Sequence, residues 1–262
     1  MITFNFQKKY VAFLDVLGFK EIIFSDEKEK LKIYFETVTE AIKVVQKDKK
    51  ELNVFLISDS IIIIADDNVT QFKLLLKAIQ TIQIRLIIKN IWLRGAVSYG
   101  EVDFDTTTNI IAGKALTNAF LLEKEARLPL VLLDPKIIKH LENTKDNFIS
   151  AMNDMSFFPQ QHYNKLIHDT YIDIQEESIF VSFGNRILHE HFFNSTNSLG
   201  KIYTDLINNL YSEHKHYAKY FWLKKYFLNC LKEFRETVQE PNMEEELKLN
   251  TIESWIDLFK SA

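Results

Sequence analysis

Two acidic residues lie where apolar segments end, and carboxylates in such places are candidates for binding a cation. Asp15 lies near the end of the apolar segment Tyr10–Val16, just before Gly18, and Asp59 interrupts the segment Glu51–Asp67. Burying an ionised carboxylate is costly unless a cation compensates it, so a positive charge is expected nearby. Carboxylate oxygens are ligands that Mg²⁺ and Mn²⁺ prefer, which makes the pair a candidate metal site. A turn aspartate that hydrogen-bonds its own backbone is the alternative interpretation of Asp59.

Three basic residues are the other candidates for chemistry. Arg94 is a single charge inside the apolar stretch Ile91–Tyr99 and cannot lose its proton, so it needs a carboxylate or a ligand phosphate as its partner. Lys114 and Arg127 flank a predicted helix and could contact a polyphosphate or simply be solvated. The sequence gives no support for a nucleophile activated by a base, and its His-x-His pairs would not face each other on a helix.

The composition limits the classes of partner. The chain has 262 residues, a net charge of −4 and one cysteine, Cys230. This length suits one large domain or one domain with an appendage. The charge gives no reason to expect DNA, RNA or an anionic membrane as a partner, and a single cysteine excludes an intramolecular disulfide. No apolar run reaches about 18 residues and no signal peptide is visible, so we expect a cytoplasmic protein.

Hydrophobic periodicity places the candidate residues on helices and at strand ends. Apolar spacings of three and four predict helices over Glu27–Lys49, Thr70–Lys89 and Gly113–Ala126, the last with Glu123 on its apolar stripe. Short apolar runs predict strands at Tyr10–Val16, Ile91–Tyr99 and Pro129–Asp134, and hairpins over 51–67 and 170–183. If the first strand neighbours the first hairpin, Asp15 and Asp59 can face one site.

The order of these elements predicts the fold class. Helices interleaved with hairpins favour an α+β fold with one mixed sheet and helices packed against it, because a doubly wound sheet needs a helix between most strands. Residues 143–164 show no clear period, and we expect loop and short helix there. From Ser195 to Lys260 the pattern is helical, divided by Pro241. We therefore predict a domain over residues 1–190 and a C-terminal helical extension over 191–262.

Four sequence blocks, in this order, resemble a known family. The blocks FLDVLGF, SDSIIIIA, LRGAVSYGE and GKALTNAFLLEKEA are similar to blocks of class III nucleotidyl cyclases, and more closely to those of the pyrimidine cyclases of bacterial Pycsar anti-phage systems. The resemblance covers roughly residues 8–135. It implies a class III cyclase-like fold in which Asp15 and Asp59 bind two Mn²⁺ or Mg²⁺ ions, with the Val16 carbonyl as a third ligand.

The resemblance also implies where the nucleotide binds. The backbone of Leu17, Gly18 and Phe19 would hold the triphosphate. Phe55 and Ile110 occupy the positions at which purine cyclases carry base-reading residues. Neither side chain can make hydrogen bonds that tell adenine from guanine, and the bulky phenyl ring fits a smaller pyrimidine.

Two further positions depart from the purine cyclases. Thr117 and Leu121 stand where those enzymes carry an asparagine and an arginine on the helix after Gly113. The arginine stabilises charge in the transition state, and loss of such a group can cost orders of magnitude in rate. Arg94 or Arg127 could take its place.

The activity that the resemblance implies is conversion of UTP or CTP to the 3′,5′-cyclic monophosphate and pyrophosphate. Cyclases of this kind form their sites between two subunits, which implies a homodimer. The product would be a second messenger for a separate effector protein in anti-phage defence. A cyclase-like module that binds a nucleotide or a protein without turnover is the alternative, and a purine cyclase with unusual base contacts is a third. Retention of both aspartates favours the enzyme, whereas loss of the usual asparagine and arginine favours the binding module.

Overall fold

The structure of the chain is a computed structural model, and the contacts within it divide the chain into two compact units. It describes residues 4–24, 28–48, 52–108, 110–141, 145–152, 172–175, 178–192, 196–237 and 243–262. The first unit comprises Met1–Met152 with Tyr171–Val181, and the second comprises Asn153–Thr170 with Ser182–Ala262. The predicted division at residue 190 remains a prediction.

The first unit interleaves helices with single strands and hairpins, as the periodicity predicts. Its strands are β1 (Gln7–Val16), β2 (Asn53–Ile57), β3 (Ser60–Asp66), β4 (Leu93–Asp105), β5 (Ile110–Ala112), β6 (Val131–Leu133), β7 (Ile172–Gln175) and β8 (Ser178–Val181). Its helices are α1 (Phe19–Phe24), α2 (Lys28–Asp48), α3 (Val69–Ile87), α4 (Lys114–Glu125), α5 (Pro135–Leu141) and α6 (Lys145–Met152). The predicted loop and short helix over 143–164 lies partly outside the described residues.

The strands form one mixed sheet in the order β2-β3-β1-β4-β6-β8-β7, with β5 paired to the far part of β4. The long central strand β1 is antiparallel to both β3 and β4. The pairing of β6 with β4 is parallel, which makes the sheet mixed. This arrangement confirms the predicted α+β fold.

Helices cover both faces of the sheet in its centre. The Tyr10 ring lies 4.7 Å from the ring of Phe72 in α3, whereas Val11 belongs to an apolar cluster with Ala115 of α4. Because neighbouring residues of a strand point to opposite faces, α3 and α4 lie on opposite sides of β1. Asp15 has the same parity as Val11 and therefore faces the side of α4.

Strand β4 is longer than the sequence analysis predicted. The expected end was Tyr99, but the strand continues to Asp105 and pairs with β5 through Asp103–Asp105. Its continuation keeps Val102 fully buried. At the start of α4, Gly113 has a φ of 152°, and a Cβ there would lie 2.4 Å from the carbonyl oxygen of Glu101. Only glycine allows this helix to begin so close to β4.

The second unit is built from helices that pack on one long helix. They are α7 (Gly184–Phe192), α8 (Ser198–Leu210), α9 (His214–Thr237) and α10 (Met243–Ser261), and α9 contacts each of the other three. The predicted helical extension is confirmed for the described residues, whereas Ser195 and Pro241 lie outside them. Among the described helices, none combines the length and apolarity needed to cross a membrane.

We expect Tyr226→Phe to destabilise this helical unit by about 1–3 kcal/mol. The buried Tyr226 hydroxyl accepts hydrogen bonds from the backbone N–H groups of Phe183 and Gly184, at 3.2 and 2.9 Å. Removing the hydroxyl leaves these donors without that acceptor in the protein interior, which costs about this much. Urea denaturation followed by circular dichroism measures the change.

Tyr217→Phe is the matched control, since Tyr217 lies on the same helix with 41% of its surface exposed. An exposed tyrosine loses only a solvated hydroxyl, so its midpoint should not move. Equal midpoints for the Tyr226 variant and the wild type would contradict the prediction.

Candidate active site

The fold brings Asp15 and Asp59 together at one end of the sheet. Asp15 pairs with Ser60 in the register of β1 with β3, and Asp59 is the residue before Ser60 in the two-residue turn between β2 and β3. The first strand and the hairpin are therefore neighbours, as the predicted common site requires. The side chain of Asp15 is 21% exposed, so it is accessible without being fully solvated.

A buried tyrosine holds the turn that carries Asp59. The hydroxyl of Tyr34, in α2, donates to the Asp59 carbonyl oxygen at 3.3 Å. The Tyr34 ring is fully buried, and the ring of Phe19 packs on it with centroids 5.5 Å apart. Ser58 completes the turn with a φ of 57°. The position of Asp59 therefore depends on α2 as well as on the hairpin.

Arg94 lies within reach of carboxylates, which are one of the two kinds of partner predicted for it. It lies opposite Asp15 in the pairing of β1 with β4. Its Nη2 is 3.6 Å from Oδ2 of Asp15, and its Nε forms an ion pair with Oε1 of Glu123. The cation that burial of Asp15 predicted is present.

Glu123 is the residue of this site that the sequence analysis did not identify. It lies near the end of α4 and is only 2% exposed. Its position on the apolar stripe was visible from the spacing, and a carboxylate on such a stripe requires a buried cation. The sequence contains a matching one in Arg94, but the spacing alone does not show that α4 reaches it.

Negative charge is in excess at this end of the sheet. Burial, together with the nearby charges of Asp59 and Glu123, raises the pKa of the Asp15 carboxyl to about 6 against the opposing effect of Arg94. Burial and the same two aspartates also raise the pKa of Tyr34. A bound cation would relieve this repulsion.

The side chains present fit a hard divalent cation. Two adjacent carboxylates are oxygen ligands of the kind that Mg²⁺ and Mn²⁺ prefer, and Mg²⁺ is commonly held by one or two carboxylates with substrate phosphates and water. Within the described residues, no group of three or more histidine, cysteine or acidic side chains is arranged to hold an ion. Asp15 and Asp59 would therefore supply a partial set of ligands, beside the buried Val16.

We expect Asp15→Asn to stabilise the metal-free protein at pH 7 by about 3 kcal/mol. An acid whose pKa is higher in the folded state than its value of 3.8 in the unfolded chain loses folding stability as the pH rises from about 4 to 6. Well below pH 4 the Asp15 carboxyl is protonated in both the folded and the unfolded state, so the stabilities of the variant and the wild type should differ little there. Thermal unfolding in a chelating buffer between pH 4 and 8 measures the difference.

Glu40→Gln serves as the control, because Glu40 is an exposed carboxylate on α2. A stability difference between Asp15→Asn and the wild type that does not grow between pH 4 and 6 would contradict the prediction.

The turn after β1 offers fewer backbone donors than the sequence analysis predicted. Gly18 has a φ of 79°, which glycine adopts without strain. The N–H of Leu17 donates to the Trp92 carbonyl oxygen at 2.8 Å and is thus engaged within the sheet. This leaves Gly18 and Phe19 of the three residues expected to hold a triphosphate.

Phe55 lies on the same side of the sheet as the site. It pairs with Ile62, two positions along β3 from Ser60. Its side chain is 5% exposed and packs edge-on against Phe104, with ring centroids 6.0 Å apart. The predicted base-binding residue is therefore part of an apolar cluster next to the site.

Ile110 and Lys114 lie at the opposite end of the sheet from Asp15. Lys114 forms a 3.1 Å ion pair with Glu101, which follows Arg94 by seven residues along β4. At about 3.3 Å per residue, this separates Glu101 from Arg94 by roughly 23 Å. Ile110 pairs with Asp105, farther still. One nucleotide cannot contact Asp15 and both of these residues within one chain.

An open cleft of about 400 Å³ adjoins Lys114. It is lined by Phe6, Glu101, Gly113, Lys114, Thr117 and Asn118. Farther along the same helix, Leu121 is 53% exposed. The two positions at which purine cyclases carry an asparagine and an arginine are therefore on the outer surface of α4.

Arg127 lies at the end of the sheet that carries Asp15. It is exposed in the segment between α4 and β6. Three residues later, Leu130 accepts a hydrogen bond from the N–H of Gly95, the neighbour of Arg94. Among the ion pairs of the described residues, Arg94 contacts Asp15, whereas Arg127 contacts neither aspartate.

The sequence matches no protein-family model and no curated protein. Several solved structures are similar over about half of the chain. The adenylyl cyclase CyaB from P. aeruginosa has 13% identity and a TM-score of 0.42, over 55% of this chain and 84% of its own. The guanylyl cyclase Cya2 has 10% identity and a TM-score of 0.42, over 53% and 80%.

A third similar structure is the monomeric guanylyl cyclase domain of the RhoGC fusion protein from the aquatic fungus Blastocladiella emersonii. It has 15% identity and a TM-score of 0.41, over 52% of this chain and 86% of its own. Similarities this distant do not assign the chain to a family.

Proposed function

We propose that the chain is a nucleotide cyclase that converts UTP or CTP to the 3′,5′-cyclic monophosphate and pyrophosphate. The observation that carries the proposal is the juxtaposition of Asp15 and Asp59 with excess negative charge, beside Arg94. A partial carboxylate set suits a cation that is shared with a polyphosphate substrate. The resemblance of the sequence blocks to pyrimidine cyclases supplies the reaction.

In the proposed reaction the ribose 3′-oxygen attacks the α-phosphorus of the same nucleotide. The new bond joins this oxygen to the α-phosphorus, the bond to the bridging oxygen of the β-phosphate breaks, and the 3′-hydroxyl proton is released to water. When bound at Asp15, Asp59 and the Val16 carbonyl, two Mn²⁺ or Mg²⁺ ions supply charge neutralisation and acidify the hydroxyl.

The chain's own residues would orient the triphosphate and stabilise its charge. Arg94 would contact the phosphates, because an arginine guanidinium group has five N–H donors and its two carboxylates use only some of them. Gly18 and Phe19 supply backbone donors in the turn after β1. Arg127, at the same end of the sheet, remains a second candidate for contact with the leaving pyrophosphate.

The proposed pyrimidine preference rests on the absence of groups that read a purine and on the bulk of the Phe55 ring, which suits a smaller base. Phe55 and Ile110 offer no hydrogen-bonding atom in their side chains, so they cannot select a purine by its edge. The distance between the two ends of β4 supports a site shared by two subunits, with Asp15 and Asp59 from one and Ile110 and Lys114 from the other. The product would act on a separate effector protein, as in the anti-phage systems that the sequence resembles.

Incubation of the purified chain with each of the four nucleoside triphosphates and Mn²⁺, followed by chromatography, tests the proposal. Cyclic UMP or cyclic CMP from the wild type, and none from Asp59→Asn, is the expected result. Cyclic AMP or cyclic GMP as the main product would reject the pyrimidine preference. Tight nucleotide binding without any cyclic product would favour the second candidate, a binding module, which the exposed Leu121 in place of the usual arginine supports.

A further inference from the structure

Two carboxylates hold Arg94 unequally. Its Nε forms a close ion pair with Glu123 that lacks hydrogen-bond geometry, whereas its Nη2 stays 3.6 Å from Asp15. Glu123 has a side chain only 3% exposed, compared with 21% for Asp15. Charge attraction is stronger away from water, so the buried Glu123 is the main anchor of the guanidinium.

Without Glu123, the guanidinium of Arg94 would have another strong binding partner in Asp15. Asp15 lies directly opposite Arg94 across the β1–β4 pairing, and Asp59 lies beside it. Arginine and carboxylate groups commonly form two parallel hydrogen bonds, which are about twice as strong as neutral ones. A guanidinium closed on Asp15 in this way would occupy the oxygens that a cation needs.

We infer that Glu123 is a positioning residue that holds Arg94 back from Asp15 and Asp59. The two carboxylates then stay available to a divalent cation, and the outer nitrogens of Arg94 stay available to phosphate oxygens. The part concerning phosphate rests on the proposed function, whereas the part concerning the cation does not.

The test measures Mn²⁺ binding without nucleotide, through the electron paramagnetic resonance signal of free Mn²⁺. Glu123→Gln keeps the shape and one acceptor oxygen of the side chain but removes its charge. We expect this variant to bind Mn²⁺ at least tenfold more weakly than the wild type. Glu125→Gln removes a charge from an exposed position of the same helix and should leave the affinity unchanged.

The double variant Glu123→Gln/Arg94→Met separates positioning from a structural role. With the guanidinium absent, nothing closes on Asp15, so Mn²⁺ affinity should return to within about threefold of the wild type. Turnover should remain low, because Arg94 is missing. A double variant that binds Mn²⁺ as weakly as Glu123→Gln would overturn the inference.

Other outcomes are equally decisive. Unchanged Mn²⁺ affinity in Glu123→Gln, or loss of the circular dichroism of the folded state in both variants, rejects positioning. If the wild type forms cyclic nucleotide and Glu123→Gln has the same Mn²⁺ affinity and turnover, this inference is rejected and the proposed function is retained. Mn²⁺ binding that depends on Glu123, without cyclic product from any nucleotide, rejects the proposed function and retains the inference about the cation.

Discussion

Replacing Asp59 by asparagine is expected to lower nucleotide turnover by about 10³-fold, the upper end of what removal of one electrostatic group at a reacting centre costs. Asparagine keeps the size of the side chain and the turn preference, and the backbone oxygen that accepts from Tyr34 is unchanged. The variant should therefore fold normally. The loss of turnover would then result from the loss of one cation ligand. Initial rates of cyclic nucleotide formation at saturating Mn²⁺ measure the effect.

A second readout of this variant does not depend on turnover. A cation that binds only the folded state raises the unfolding temperature, by mass action. Mn²⁺ should therefore raise the melting temperature of the wild type and of the control Glu40→Gln, but not that of Asp59→Asn. An Asp59 variant that retains at least a tenth of wild-type turnover would show that Asp59 is a turn residue without a role in metal binding.

The acidic pair was accessible from the sequence because strands and hairpins have simple rules. A carboxylate at the end of an apolar strand lies at one end of the sheet. The two-residue turn places Asp59 beside Ser60, and Ser60 pairs with Asp15. The need of Arg94 for a buried counter-charge was equally visible, since an arginine cannot become neutral. These inferences use only local geometry and the cost of burying charge.

Glu123 was less accessible, because its role depends on how α4 lies across β4. The helical period puts it on the buried stripe, but the period does not specify which residue of the sheet lies beneath. That registration is set by the close approach of Gly113 to Glu101 at the other end of the helix. Tertiary packing of this kind has no short-range sequence signal.

Among the differences between the predicted and the observed elements, the length of β4 has the largest consequence for the candidate site. A strand ending at Tyr99 followed by a loop would allow the segment after it to fold back towards Asp15. Because the strand continues to Asp105, Ile110 and Lys114 lie far from the aspartates. The resemblance grouped all of these residues into one site, and the geometry separates them within the chain.

The separation between the two ends of β4 leads to the second prediction with a large effect. Two variants that are each inactive should recover activity when they are combined. Asp59→Asn damages one end of the sheet and Lys114→Ala damages the other. Each variant alone should lose at least tenfold in turnover if a site combines the two ends from different subunits. Lys114 makes an exposed ion pair, so its removal should cost little stability.

In a homodimer with shared sites, a mixed dimer of these variants has one doubly damaged site and one intact site. Random pairing of equal amounts makes half of the dimers mixed, so one site in four is intact. Coexpressed variants should therefore recover about a quarter of wild-type turnover, well above either variant alone. Size-exclusion chromatography with light scattering tests whether both variants are dimers. Folded, dimeric variants that show no recovery would place the whole site within one chain, which the roughly 23 Å between Glu101 and Arg94 along β4 opposes.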